Sequence, residues 1–190
     1  MGMIKPAPAA CLFVAIMYPD ELRYQSVLTR LLARLGPLMG SGVEYKVDDF
    51  TDYYAAELGV GLQKRMLVFE QSWSQEYLYR VKLWTNQLEA EGADDSGTRR
   101  VNLDPGYLEP AKLALWSTKN YSHRLYCGEG IFAETTLIYE KLRFKSLPWT
   151  YPDFQTPENL EFLLTMRKRI VNRERERRES GQTAPVFRPV

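Results

Sequence analysis

The stretch Cys11-Leu12-Phe13-Val14-Ala15-Ile16-Met17, followed at once by Tyr18-Pro19-Asp20-Glu21, decides the fold. Seven consecutive apolar residues have the length of a strand and no alternation, the pattern of a strand covered on both faces. The run is too short to cross a bilayer, which takes about 20 apolar residues. It does not read as a secretory leader either, because the small residues Ala7, Ala9 and Ala10 precede it and Asp20 and Glu21 follow it. Asp20 stands where a helix N-cap belongs, with Glu21 in the first turn. Leu28, Leu31, Leu32 and Leu35 then form an apolar helical stripe, and Gly36-Pro37 stops it.

Outward from this strand and helix, residues 40–42 read as a turn, and residues 43–50 and 65–70 as extended stretches. Ser74 can cap a second helix whose buried stripe is Tyr77, Val81, Trp84 and Leu88. Residues 99–104 form a fourth strand, and Asp104-Pro105-Gly106-Tyr107 has the signature of a type II turn. The order strand, helix, strand, strand, helix, strand is the split βαβ, ferredoxin-like one. Further strands fit residues 112–117, 124–127, 130–140 and 143–147, with Gly128-Glu129-Gly130 as a hairpin turn. Thr156 caps a terminal helix with Pro157 at its first position. The expected class is α+β: a mainly antiparallel sheet with a ferredoxin-like βαββαβ core, additional C-terminal strands and a terminal helix. One domain covers residues 1–179, and residues 180–190 form a flexible tail.

Composition narrows the partners. Lys plus Arg number 25 against 24 for Asp plus Glu, a net charge of +1, so no bulk field draws the chain to nucleic acid or an anionic membrane. Cys11 and Cys127 sit in apolar runs without metal-ligand spacing, which fits two small buried side chains in a reducing, cytoplasmic compartment. A single histidine, His123, excludes a multi-His metal site within one chain. Neither Gly-x-x-x-x-Gly-Lys-Ser/Thr nor Gly-x-Gly-x-x-Gly occurs, and no nucleophile elbow is present.

Three polar rows remain. Arg100, Asn102 and Asp104 alternate with Val101 and Leu103, so period two sets them on one face of the fourth strand. Lys82, Asn86 and Glu89 recur at i, i+4 and i+7 on the second helix, either as a solvated face or as a row turned toward a ligand. Glu134 shares a strand face with Phe132, Thr136 and Ile138, where an unpartnered carboxylate is costly to bury. His123 and Arg124 enter the preceding strand. Lys82, Asn86, Arg100, Asn102 and Arg124 are the candidate ligand-binding residues, suited to phosphate or carboxylate. Glu134, His123 and Asp104 are candidate catalytic groups, and Glu89, Asp104 and Glu134 a candidate set for a divalent ion of the Mg²⁺ type.

Linked strings carry a resemblance. They are Thr51-x-Tyr53-Tyr54-x-x-Glu57-x-Gly59, Lys82-x-x-Thr85-Asn86-x-x-Glu89, Arg100-Val101-Asn102-x-Asp104-Pro105-Gly106-Tyr107, Ser122-His123-Arg124, Gly130-Ile131-x-Ala133-Glu134-x-Thr136-Leu137 and Trp149-Thr150-Tyr151-Pro152-Asp153. In this order they resemble a bacterial family catalogued as domain of unknown function 4416, over about residues 5–154. Its members are often labelled GTP-binding, a label the missing phosphate loop here does not support. The resemblance brings no activity; it marks the same polar rows.

The expected function is binding of a phosphorylated or nucleotide-like small molecule, with or without a divalent ion, in a polar cleft over the sheet. The second reading is a non-catalytic module that binds RNA or a protein through the sheet and the basic helix bearing Arg167, Lys168, Arg169, Arg173, Arg175, Arg177 and Arg178. The interleaved Glu174, Glu176 and Glu179 count against it.

Overall fold

The structure, a computed structural model, describes residues 2–4, 7–181 and 186–187. Its apolar opening run becomes the central strand β1 (Ala10–Tyr18), buried along its whole length. Leu12, Val14 and Ile16 enter one core, and Cys11, Phe13 and Ala15 enter another on the opposite face. That two-sided burial is why the sequence shows no alternation there.

The helix α1 (Glu21–Leu35) starts at Asp20, whose carboxylate accepts the Arg23 N–H at 2.8 Å. Its buried side is Tyr24, Val27, Leu31 and Leu35. Leu28 packs only partly against this core, and Leu32 is exposed, so the stripe is rotated from the expected one. The next stretch corrects the expectation further. Residues 40 and 41 belong to β2 (Leu38–Ser41), and within 43–50 only β3 (Tyr45–Lys46) is a strand before a 3-10 turn at Val47–Asp49. A short helix, α2 (Ala55–Leu58), leads into β4 (Gln63–Trp73).

Ser74 does not cap the second long helix. Its hydroxyl accepts the Glu76 N–H in a local turn, Tyr77 takes a positive φ of 58° in the open, and α3 (Arg80–Glu91) begins three residues later. The fourth core strand, β5 (Asn102–Glu109), runs straight through Asp104-Pro105-Gly106-Tyr107. No turn forms there, because Pro105 and Gly106 pair with Val14 and Phe13 of β1. The remaining strands are β6 (Lys112–Ser117), β7 (Leu125–Gly128), β8 (Ile131–Glu140) and β9 (Arg143–Ser146). The helix α4 (Pro157–Glu179) follows, capped by Thr156, and β10 is Val186–Phe187.

The sheet order is β10-β4-β1-β5-β6-β8-β7, with β2 and β3 also on β4 and β9 on β8; all pairings except β10 with β4 are antiparallel. The four-strand core and its two crossovers form the ferredoxin-like unit, and β6 to β9 extend it beyond β5. Helices α1 and α3 cover one face, and α4 covers the other through Leu163, Met166 and Ile170. Of the expected tail, residues 182–185 and 188–190 lie outside the described residues, while β10 is paired with Ser72 and Trp73. No helix among the described residues is long and apolar enough to cross a membrane.

Candidate functional site

Cross-strand register builds the floor of a cavity on the α4 side of the sheet. Lys64 on β4 and Asn102 on β5 both lie opposite Met17, Asp104 lies opposite Ala15, and Glu134 on β8 lies opposite Leu115 on β6. Period two then projects these side chains to one face, beyond the end of the apolar core. Tyr53 and Tyr54, Lys119 and Tyr121, and the strap of Tyr151 to Phe154 wall this floor, enclosing about 660 Å³.

The cavity extends to α3 because β5 lacks a neighbour there. Pairing with β6 begins only at Gly106, so Leu103 has no strand on that side. Side chains replace the strand: Glu89 accepts the Leu103 N–H at 2.6 Å, and Lys82 Nζ donates to the Leu103 carbonyl at 2.6 Å. Pro105, which has no N–H to give, fits the same unpaired margin. Lys82 and Glu89 are therefore buried and structural at one end of the site, with Asn86 lining the cavity beside them. Burial raises the Glu89 carboxyl above its ordinary value, against the opposing pull of Lys82, the Leu103 N–H and Arg99.

Glu134, only 3% exposed, is answered by Arg124 Nε at 2.6 Å and His123 Nε2 at 3.0 Å, both on Oε2, while Oε1 has no hydrogen-bond partner among the described residues. Arg124 also donates to Ser117 Oγ at 2.7 Å and to the Lys119 carbonyl at 3.1 Å. His123 stacks on Trp149 at 4.9 Å and stands behind Glu134 rather than among the lining residues.

Arg100, expected beside Glu134, is not in the site. It precedes β5 and turns out to Asp94 at 2.8 Å, with half its side chain exposed. Its neighbour Arg99 enters instead, reaching Asn102 Oδ1 at 2.6 Å, Glu89 at 3.0 Å and both carboxylate oxygens of Glu57. The proposed metal set fails as well. Among the described residues no group of three His, Cys, Asp or Glu side chains is placed to hold an ion, since Glu89 and Glu134 are committed to the donors just named.

Several lining residues escaped the periodicity argument. Lys64 is buried against Asp153 at 2.7 Å, and Tyr45 donates to the same Oδ2 at 2.8 Å. Burial by itself would lower the Lys64 ammonium; Asp153 reverses this and holds it above the usual lysine value. A signal existed, because Lys64 shares strand parity with the buried Met66 and Val68. Tyr53, Tyr54, Tyr151 and Asp153 stand within the quoted strings yet belong to no polar row. Lys119 had no signal at all. Its ammonium donates to Tyr53 Oη at 2.9 Å and lies 4.9 Å from that ring's centre.

The basic helix is largely spent on the fold. Arg167 binds the Pro110 carbonyl, Arg169 that of Met39, Arg173 that of Glu70, and Arg177 the Ser72 hydroxyl.

A family model described as "Domain of unknown function (DUF4416)" matches residues 8–170, and the chain belongs to that family. No curated protein and no solved structure matches it.

Proposed function

We propose that this chain binds a phosphorylated or nucleotide-like small molecule in the cavity over its sheet. One observation carries the reading: Lys119 is the cavity-lining cation that has no carboxylate partner among the described residues. Lys64, Lys82, Arg99 and Arg124 each have a carboxylate within 4 Å, so their charge is already neutralised. Lys119 is held only by a tyrosine, a partner that a phosphate can replace, and hydrogen bonding to Tyr53 keeps its ammonium above the ordinary lysine value. The volume falls within the usual range of about 300–1,000 Å³ for small-molecule sites, and the tyrosines offer flat faces to a ring. The RNA-binding reading is weaker, because Arg167, Arg169, Arg173 and Arg177, four of the seven basic residues it would use, are bonded to the protein's own backbone and side chains.

The test is a thermal-shift screen with AMP, GMP, CMP, UMP and ribose 5-phosphate. A ligand at 100 times its dissociation constant stabilises by about 2.7 kcal/mol. At least one compound should raise the melting temperature, and Lys119→Met should remove most of that rise. No shift from any compound would overturn the proposal.

A further inference from the structure

The same cavity holds a second unpaired charge, and its position gives the ligand a direction. Asp104 is the lining carboxylate without a cationic partner among the described residues. Its one hydrogen bond comes from Asn102 Nδ2 to Oδ2, at 2.8 Å. The network fixes that amide's orientation: Arg99 donates to Asn102 Oδ1, so the NH₂ end must face Asp104. Oδ1 of Asp104 is left without a donor among the described residues. An ionised carboxylate can only accept hydrogen bonds, so the Asp104 oxygen calls for an N–H or O–H group from a ligand.

We infer that the ligand carries an amino-bearing heterocycle whose N–H edge meets Asp104, and an anionic group that meets Lys119. Resting on the nucleotide-like reading above, this narrows it to nucleoside phosphates with an exocyclic amine, and sets carbonyl or unsubstituted analogues aside. Tyr54 and Tyr151 line the same cavity. Burial and the nearby Asp104 hold the Tyr54 phenol above its ordinary value, so it stays a neutral donor beside the carboxylate. A base carrying an acceptor there in place of its amine would set two lone-pair groups against each other.

The experiment compares matched 5′-monophosphates by calorimetry: AMP with purine riboside monophosphate, GMP with IMP, and CMP with UMP. In at least one pair the amine-bearing member should bind at least about tenfold tighter, well inside the discrimination that a polar site can reach against an analogue lacking the group. Asp104→Asn, nearly isosteric, should shrink that ratio below about threefold while inorganic phosphate still competes. The wild-type comparison needs no variant, so a poorly folding Asp104→Asn would not rescue the idea. Binding without amine preference, or a preference that survives Asp104→Asn, overturns the inference and leaves the nucleotide-like reading standing. Absence of binding by every nucleotide overturns both.

Discussion

Glu89 holds the backbone N–H of Leu103 at 2.6 Å, doing for β5 what a neighbouring strand would otherwise do. The same carboxylate lies 3.8 Å from Lys82 and 3.0 Å from Arg99, so its removal strands the Leu103 N–H and takes from buried Lys82 the carboxylate that balances its charge. Glu89→Ala is expected to destabilise the protein by about 3–5 kcal/mol, the cost of breaking a buried charged pair. Glu89→Gln keeps an acceptor for Leu103 and should cost less, roughly 1–3 kcal/mol. Urea denaturation of the two variants measures the difference; equal losses would show that the Leu103 bond contributes little.

Titration of Glu89 has a definite direction. Burial raises its carboxyl in the folded state, so the native protein holds that proton to higher pH than the unfolded chain does. The contribution is fully present below the ordinary glutamate value and is lost as pH rises through the raised one. Wild-type stability measured relative to Glu89→Gln should therefore fall over the window that opens at the ordinary glutamate value, about 4.3, since glutamine does not titrate. A relative gain over that window would mean that Lys82 and Arg99 outweigh burial.

How far the sequence went is visible in this same region. The Cys11 to Met17 run placed the central strand, and period two placed Asn102 and Asp104 together on one face. It misplaced Arg100 because the strand begins at Asn102, and a period has no meaning before the strand starts. Lys82 and Glu89 could be read as a solvated face or a ligand row. They proved buried because β6 pairs too late along β5, a tertiary fact with no local mark. Lys119 and Asp153 lie in loop and strap, where no periodicity operates.

Pro105-Gly106 misled for a reason that can be tested. The pair suits a turn locally, but Gly106 is required by close approach: a Cβ there would sit 2.0 Å from the Ala114 carbonyl oxygen of β6. Backbone cannot swing aside as a side chain can. Gly106→Ala should cost about 3 kcal/mol or more, at or above the usual range for overpacking. Gly92→Ala, whose nearest contact is 3.6 Å, is the control and should be nearly neutral. Thermal melts of the two decide; a benign Gly106→Ala would show that β5 and β6 can part at Gly106 at little cost.

Arg124 and Glu134 meet at 2.6 Å with side chains 3% and 2% exposed, so each is the counter-charge that the other has in place of water. Glu134→Leu should therefore destabilise by about 3–5 kcal/mol, and Arg124→Met by a similar amount, each by abandoning a buried charge. Together the two changes remove both charges, and apolar pairs of matched volume are often no worse than the ion pair they replace. The double variant should thus be more stable than either single one. Ligand binding should not return with it, because Arg124 also donates to the Lys119 carbonyl and so helps to seat the cavity's unpaired cation. Stability that recovers while nucleotide-induced stabilisation stays lost is the expected result. Additive losses of stability would show that the pair is not coupled, and recovery of binding would show that Lys119 is seated without Arg124.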